Sequence, residues 1–563
     1  MENKPNEDRG GDLPACAAEF IRQVVRRMRY RKKAAADVQA ELTAHFEDEL
    51  RGCANVQERE QRVQRLISEF GDAKLLAILC RRAKKRCRPL WAKAIVRTAQ
   101  GAGVLLLLFL VYMAWFAIGK PAPRMDYIAL VNQMSRPELA ERDNAWPHYE
   151  KAIAALVEPD DDLDLQPAFK ELNRPEYRSL GALPEETRAA ISQWVENNEA
   201  ALREFKTAAA MSYCLRSYSA DPNAKDPWLM AVLLPHLPAL RNLGRLSVWR
   251  SRINLEHGDT RQAVEDCLAV ARAGRHWQGS EFLIEQLVGL ALSRLGHEQI
   301  LAIAQARKLP AADLANLQQE LAVLYPGRYP LINIEAERLG LLDTIQRVFT
   351  EGGPGGGHMA FSGAMRLHDL MTTGEQDSDA GPLMVPMWTA LSMIHAGRGK
   401  TTARANWLFD EQAKLAKLSP YERHATKTPG TDDLLRLLPE YRYAVIHILA
   451  PALDRAADTA FRGRALHEAT MTVLALQRYR AEKGAYPASL EELKQAGYID
   501  VLPADPYSDG PLVYKPAADH FTLYSVGTDF KDDGGTPGKD RKGRPTMWDA
   551  QAGADAVFWP VSP

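Results

Sequence analysis

The chain has 563 residues, too many for a single hydrophobic core, so several domains are expected. With 46% hydrophobic and 25% charged residues it has the composition of a globular protein, which excludes a fibrous or low-complexity chain. The net charge of −1 gives no bulk cationic excess, and nucleic acid is not among the expected partners. That near-neutral total conceals an asymmetry. Residues 1–97 carry 22 Lys and Arg against 14 Asp and Glu, and the remainder carries 49 against 58.

Residues 1–15 are polar and read as disordered. Helical periodicity begins near Ala18, with Phe20, Val24, Val25 and Met28 spaced by three and four. A second helix over 34–52 places Val38, Leu42, Phe46 and Leu50 on one stripe. A third, near 57–70, offers Val63, Leu66, Ile67 and Phe70, with Gly71 as its stop and Asp72 as a cap for the next. The stretches DVQAELTAHFEDEL (37–50) and RLISEFGDAKLLA (65–77) resemble the HAAS-type membrane-signalling domain, the match resting on Glu41, Leu42, His45, Asp48, Gly71 and Asp72. The resemblance implies a non-enzymatic cytoplasmic head over 16–97. His45 reads as a face residue, with a ligand or switch role as the alternative.

Arg81, Arg82, Lys84, Lys85, Arg86, Arg88, Lys93 and Arg97 then precede an uncharged stretch, Thr98 to Gly119. A helix of that length spans roughly 30 Å, the thickness of a bilayer's hydrocarbon core. The basic flank places the N-terminus in the cytoplasm and the larger C-terminal part outside, and it would attract anionic headgroups. The apolar stretch lies too deep in the chain for a cleaved signal peptide and reads as a retained anchor at 98–119. Cys16, Cys53, Cys80 and Cys87 fall on the reducing side without zinc-ligand spacing. Cys214 and Cys267 fall on the exported side, where a disulfide between them is open.

Residues 120–460 are predominantly helical in pattern. Helices are expected over 146–157, 185–211, 238–256, 282–303 and 311–324, with the turn HGDT (257–260) between two of them. The segment LEHGDTRQAVEDCLAVARAG (255–274) resembles one tetratricopeptide-type helical hairpin, through Gly258, Ala263 and Ala269. No second copy follows at a fixed period, so an irregular α-helical array is expected, of the kind that binds a partner. EGGPGGG (351–357) has no preceding strand and reads as a loop. GRGKTT (397–402) lacks the first glycine of a phosphate loop, because position 394 is Ile. The histidines are scattered, and neither HExxH nor GxSxG occurs. Glu335 and Glu337 read as solvated surface, and no catalytic constellation is expected.

The pattern changes near Phe461. A helix is expected over 463–483, then a short helix capped by Ser489, then two antiparallel strands in PLVYKP (511–516) and HFTLYSV (520–526), and an Asp- and Gly-rich tail. RYRAEKGAYPASLEEL (478–493), LPADPYSDGPLVY (502–514), FTLYSVGTDFKDDGG (521–535) and Trp548-Asp549 together resemble the soluble domain of the type II secretion major pseudopilin and related type IV pilin-like proteins. This implies an α+β module over 461–563. It also implies calcium in the loop after the core strands, with Asp529 matching the family's Gly-x-Asp step and Asp532, Asp533 and Asp540 nearby; calcium takes six to eight oxygen ligands. The membrane helix enters as RTAQGAGVLL, without a pseudopilin processing site, more than 300 residues upstream of the module.

The expected fold is therefore mainly α: a single-pass membrane protein with a cytoplasmic helical bundle, a large exported α-helical array and a C-terminal α+β module of a long helix and a small antiparallel sheet. A non-enzymatic envelope protein that binds protein partners, relays a signal or self-associates is the first functional expectation. An accessory of a type II secretion or pilus-like apparatus is the second, and an exported enzyme with a site in the helical middle is the third.

Overall fold

The computed structural model describes residues 13–86, 90–134, 140–158, 172, 177, 180–220, 228–232, 234–325, 331–371, 384–450, 453–539, 543, 545–548 and 553–561. Of the stretch 1–15 read as disordered, residues 1–12 lie outside them, as do Cys87, Asp540 and Asp549, whereas Leu13 packs against the first unit's core and Ala15 already begins a helix. The fold is mainly helical with a small antiparallel sheet, as expected. The chain forms two compact units, Met1–Tyr112 and Met113–Pro563.

In the first unit, helices α1 (Ala15–Met28), α2 (Lys32–Leu50), α3 (Val56–Phe70) and α4 (Ala73–Arg86) enclose a core that includes Phe20, Val24, Leu42, Phe46, Val63 and Leu66. The boundaries follow local chemistry. The Asn55 side chain accepts from the Glu58 amide at 2.9 Å, and the Glu58 carboxylate accepts from the Ala54 amide at 3.1 Å, which satisfies two amides at the start of α3. Gly71 ends α3 at φ 72, and Asp72 accepts from the Lys74 amide at 2.9 Å to begin α4. His45 is exposed and lies edge-on to Phe70, with centroids 5.5 Å apart.

Helix α5 (Leu90–Ile118) runs without a break through the apolar stretch. Within it, the 25 residues Ala94–Ile118 are long and apolar enough to cross a membrane. Leu105, Leu106, Leu107 and Leu108 are all exposed, so this is not a core helix buried inside a soluble fold.

In the second unit α6 (Tyr127–Met134) and α7 (Trp146–Ala154) lead to α8 (Glu185–Asn197) and α9 (Glu199–Ala209). The single helix expected over 185–211 is thus two, broken at Asn198. The reason is tertiary. Buried Asn198 accepts from the Val157 amide at 2.7 Å and donates to the carbonyls of Val157 at 3.0 Å and Trp194 at 2.9 Å. Asn198→Ala takes the acceptor from the Val157 amide and leaves the Val157 carbonyl only the Trp194 indole, which donates to it at 2.9 Å, and it is expected to lower stability by about 1–2 kcal/mol in a denaturant titration; an unchanged midpoint would contradict this role.

Helices α10 (His236–Glu256) and α11 (Thr260–Gln278) form the expected hairpin. Gly258 takes φ 85 in the turn, and the Asp259 side chain accepts from the Gln262 amide at 3.0 Å. Helix α12 (Leu283–Ala306) packs on α11 along a seam of small residues. A Cβ on Gly274 would lie 2.4 Å from the Ser293 nitrogen, one on Gly289 2.4 Å from the Gln278 nitrogen, and one on Gly296 2.8 Å from the Cys267 carbonyl oxygen. Backbone therefore meets backbone across this pair.

Helix α13 (Ala311–Leu324) follows, then α14 (Glu335–Val348), α15 (Phe361–Met371), α16 (Met384–Ile394), α17 (Arg398–Leu415) and the short α18 (Pro420–Ala425), α19 (Thr431–Arg436) and α20 (Ala444–Leu449). The long helix α21 spans Leu453–Lys483, so it starts ten residues before the expected Gly463, and the expected boundary near Phe461 falls inside it. Its first turns bury Ala456, Ala457 and Ala460, whose small side chains give no strong apolar stripe in the sequence. Ser489 caps α22 (Leu490–Gln495) by accepting from the Glu492 amide at 3.3 Å.

The sheet has the order β1-β2-β5, with β1 (Val513–Pro516), β2 (Phe521–Ser525) and β5 (Ala556–Trp559) all antiparallel. A two-stranded ribbon, β3 (Gly538–Lys539) and β4 (Pro545–Thr546), lies between β2 and β5 in sequence. Leu466, Val473 and Leu474 of α21 share one hydrophobic core with Phe521, Phe558 and Trp559 of the sheet, and also with Leu301, Leu314 and Leu321 of α12 and α13.

The open question of a Cys214–Cys267 pairing is answered, and the reading of Glu337 is corrected. Cys214 and Cys267 are both free thiols. Cys267 lies 3.1 Å from the Ser251 hydroxyl in the core shared with the sheet, while Cys214 packs against the separate core around Trp249 and Trp277. Glu337 is not solvated surface. Its carboxylate accepts from the Leu283 amide at 2.9 Å, capping α12 from outside, and burial raises its pKa. Glu335 pairs with Arg338 at 3.2 Å.

Candidate functional site: a buried polar chain

A largely buried polar constellation is assembled from an extended segment after α9 and the first turns of α10 and α12. Two asparagines hold the extended segment as a strand partner would. Asn144 accepts from the Leu215 amide at 2.9 Å and donates to its carbonyl at 2.9 Å. Asn132 does the same for Tyr218, at 2.7 and 2.8 Å. Arg216, between them, is thereby fixed beside His236, and Tyr218 beside Glu285.

Four side chains form a continuous chain. Arg216 Nη1 lies 2.9 Å from His236 Nδ1, His236 Nε2 lies 3.2 Å from Glu285 Oε1, and the Tyr218 hydroxyl donates to Glu285 Oε2 at 2.6 Å. Arginine only donates, so His236 Nδ1 is the acceptor and the ring proton sits on Nε2, directed at Glu285. His236, Tyr218 and Glu285 are buried, whereas Arg216 is half-buried. Burial lowers the His236 pKa, against the raising effect of Glu285, and the ring stays neutral near pH 7. Trp146 meets the ring edge-on and Trp277 lies tilted against it, and the Arg216 guanidinium lies over Trp146 at 5.6 Å and Tyr218 at 5.2 Å.

The arrangement polarises each member through the next, but both nitrogens of His236 are occupied by protein groups. The neighbouring thiol of Cys214 is pushed far up by burial and is a poor nucleophile. In the sequence His236 is one of several scattered histidines, and Glu285 belongs to no motif. The available signal was an acid in the first turn of an otherwise apolar helix, where burying it requires partners.

A second buried pair joins α12 to α21. His297 Nδ1 donates to the Ser293 carbonyl at 2.7 Å, so its Nε2 accepts from His467 Nδ1 at 3.0 Å. The Tyr325 ring meets His467 edge-on with centroids 4.7 Å apart, and its hydroxyl is 3.2 Å from Ser293 Oγ. Burial brings His297 down to about 4 and His467 well below its ordinary value. His276, bonded to Tyr149 and to the Met211 carbonyl, is likewise held at about 4 by burial. An unfolded chain binds protons at such rings near pH 6.5, whereas the folded chain does not until about pH 4. The stability these rings contribute is complete above pH 6.5, is lost as the pH falls from 6.5 towards 4, and levels off below. In His297→Asn, stability is expected to fall less steeply across this window than in the wild type; equal slopes in acid titrations of the unfolding midpoint would contradict it.

Three of the four expected calcium ligands, Asp529, Asp532 and Asp533, lie among the described residues. Asp529 accepts from the Lys531 amide at 3.2 Å and the Gly553 amide at 2.9 Å. Asp532 accepts from the Tyr524 hydroxyl at 2.7 Å and the Gly534 amide at 2.9 Å. The Asp533 amide donates to Asp555 at 3.2 Å, and Asp540 lies outside the described residues. Asp555 also gathers the amides of Gly535 and Thr536, at 2.7 and 3.3 Å. The carboxylates of Asp529, Asp532 and Asp555 order the loop by accepting backbone protons. Among the described residues no three His, Cys, Asp or Glu side chains are grouped to hold a metal ion.

Fold and site together define a mainly helical protein with, among the described residues, one helix long and apolar enough to cross a membrane, and with polar chains buried beside the hydrophobic cores of its large unit. The chain matches no protein-family model, no curated protein and no solved structure.

Proposed function

We propose that the chain is a single-pass bacterial envelope protein of the cytoplasmic membrane, with its N-terminal bundle in the cytoplasm and the rest outside, and that it acts by binding rather than catalysis. The observation that carries this reading is the 25-residue apolar span Ala94–Ile118, preceded by a run of Lys and Arg. The head over 16–97 is assigned a HAAS-like relay or anchoring role, and the exported helical part a protein-binding role, with self-association as one form of it. The sealed polar chain at Glu285 supports a binding role, because both nitrogens of its histidine are committed within the protein.

A second reading, an accessory of a type II secretion or pilus-like apparatus, is favoured by one feature: a long helix followed by a small antiparallel sheet, in the order of a pseudopilin-like module. Crosslinking of the full-length protein in membranes, with the captured proteins identified, separates the two. A regulator bound to the head supports the first, secretion components bound to the exported part support the second, and turnover of a small molecule without any captured protein would overturn both.

A further inference from the structure

Helix α16 is inverted in its polarity. Its 11 residues, MVPMWTALSMI, carry no charge, and its two hydroxyl side chains face inward. Buried Thr389 donates to the Val385 carbonyl at 2.6 Å, and buried Ser392 to the Thr389 carbonyl at 2.8 Å. The outer face carries Met387, Met393 and Ile394, 58%, 54% and 51% exposed. A helix facing water would show the opposite arrangement. At about 1.5 Å per residue it reaches only ~16 Å, too short to cross a bilayer and of the length seen for helices lying in its interface.

Its position supplies the occupant of that face. The last turns of α5, from Met113 on, belong to the same compact unit as α16. Trp115 stacks on His358 with centroids 3.4 Å apart, and Phe116 meets Phe361 of α15. Gly119 lies against His358 and Thr350, where a Cβ would sit 3.0 and 3.2 Å from their side chains. Phe349, next to Thr350, packs on His395, which directly follows Ile394. Gln346 of α14 clamps the emerging chain by accepting from the amides of Arg124 and Met125 at 3.1 and 3.2 Å. The exposed apolar end of α16 thus adjoins the point where the spanning helix ends. Exposed Lys400 and Arg404 lie on α17, which begins four residues after Ile394, and exposed Arg442, with Glu440 two residues before it, is joined to that turn through its carbonyl, which accepts from the Ala396 amide at 2.8 Å.

We propose that α16 is an interfacial helix: its Met387–Met393–Ile394 face inserts into the acyl–headgroup boundary of the bilayer that α5 crosses, with the neighbouring basic side chains on acidic headgroups. This rests on the membrane-spanning reading of α5. The photo-crosslinker p-benzoylphenylalanine is placed at Met393, at Leu107 in the span and at exposed Val323 on α13, each in the full-length protein reconstituted into phosphatidylethanolamine–phosphatidylglycerol vesicles, with Met387 as a second α16 position should the first variant fail to fold. Lipid adducts at the α16 position comparable to those at Leu107 and several-fold above those at Val323 are expected. Adducts at Leu107 with α16 no better than Val323 would overturn the proposal and leave the spanning reading standing. No lipid adducts at Leu107 would overturn both, and adducts from α16 to a second copy of the chain would overturn the proposal alone.

Discussion

Replacing Glu285 by alanine is expected to lower the stability of the large unit by about 2–5 kcal/mol, because two buried donors lose their acceptor together. The Tyr218 hydroxyl reaches Glu285 Oε2 at 2.6 Å and the His236 ring proton reaches Oε1 at 3.2 Å, and Glu285 is fully buried. No water takes the place of the carboxylate without opening a core closed by Trp146 and Trp277. Glu285→Gln keeps the shape and one acceptor but points an amide donor at the other donor, so an intermediate loss is expected. Guanidinium titrations of the two variants check this, and a Glu285→Ala midpoint equal to that of the wild type would show that the chain contributes nothing to stability.

The second large effect is expected at Gly289. Helix propensity favours alanine over glycine by about 1 kcal/mol in a helix interior. Against that, a Cβ at 289 would lie 2.4 Å from the Gln278 nitrogen, 2.6 Å from the Trp277 carbonyl carbon and 2.7 Å from the Gly274 carbonyl oxygen. All three are backbone atoms of α11 and its end, so no rotamer change relieves the overlap and the helices must separate. Gly289→Ala is therefore expected to cost about 2–3 kcal/mol net. Gly244→Ala is the control: there the close atom is the Leu292 Cδ2, the movable end of a side chain, and a near-neutral result is expected. Equal stability of Gly289→Ala and wild type in thermal unfolding would contradict backbone contact across this seam.

What the sequence revealed was local, and what it concealed was long-range. Helix α13 has the expected bounds, Ala311–Leu324, because its apolar period starts directly after Pro310. The HGDT turn was legible because Gly258 and Asp259 each perform a local task. The break at Asn198 was not, since its partner Val157 lies 41 residues earlier. The same holds for the site: Glu285 lies 49 residues from His236 and 67 from Tyr218, and no spacing rule links them. The third strand, Ala556–Trp559, is four residues long, and its signal is lost in a Gly- and Asp-rich tail until β2 supplies a partner. The acids of that tail were legible as a cluster, but their use as acceptors for the amides of 531, 534 and 553 depends on the loop's closed path.

The asymmetry of charge about Ala94–Ile118 is the ground for the proposed topology, and it is open to one direct measurement. The full-length protein, with one epitope at each end, is expressed in a bacterial host, and intact spheroplasts are treated with protease. The expected result is loss of the C-terminal epitope and survival of a short, carbonate-resistant fragment that carries the N-terminal epitope. Digestion of the N-terminal epitope with protection of the C-terminal one, or release of the whole chain by carbonate, would contradict it.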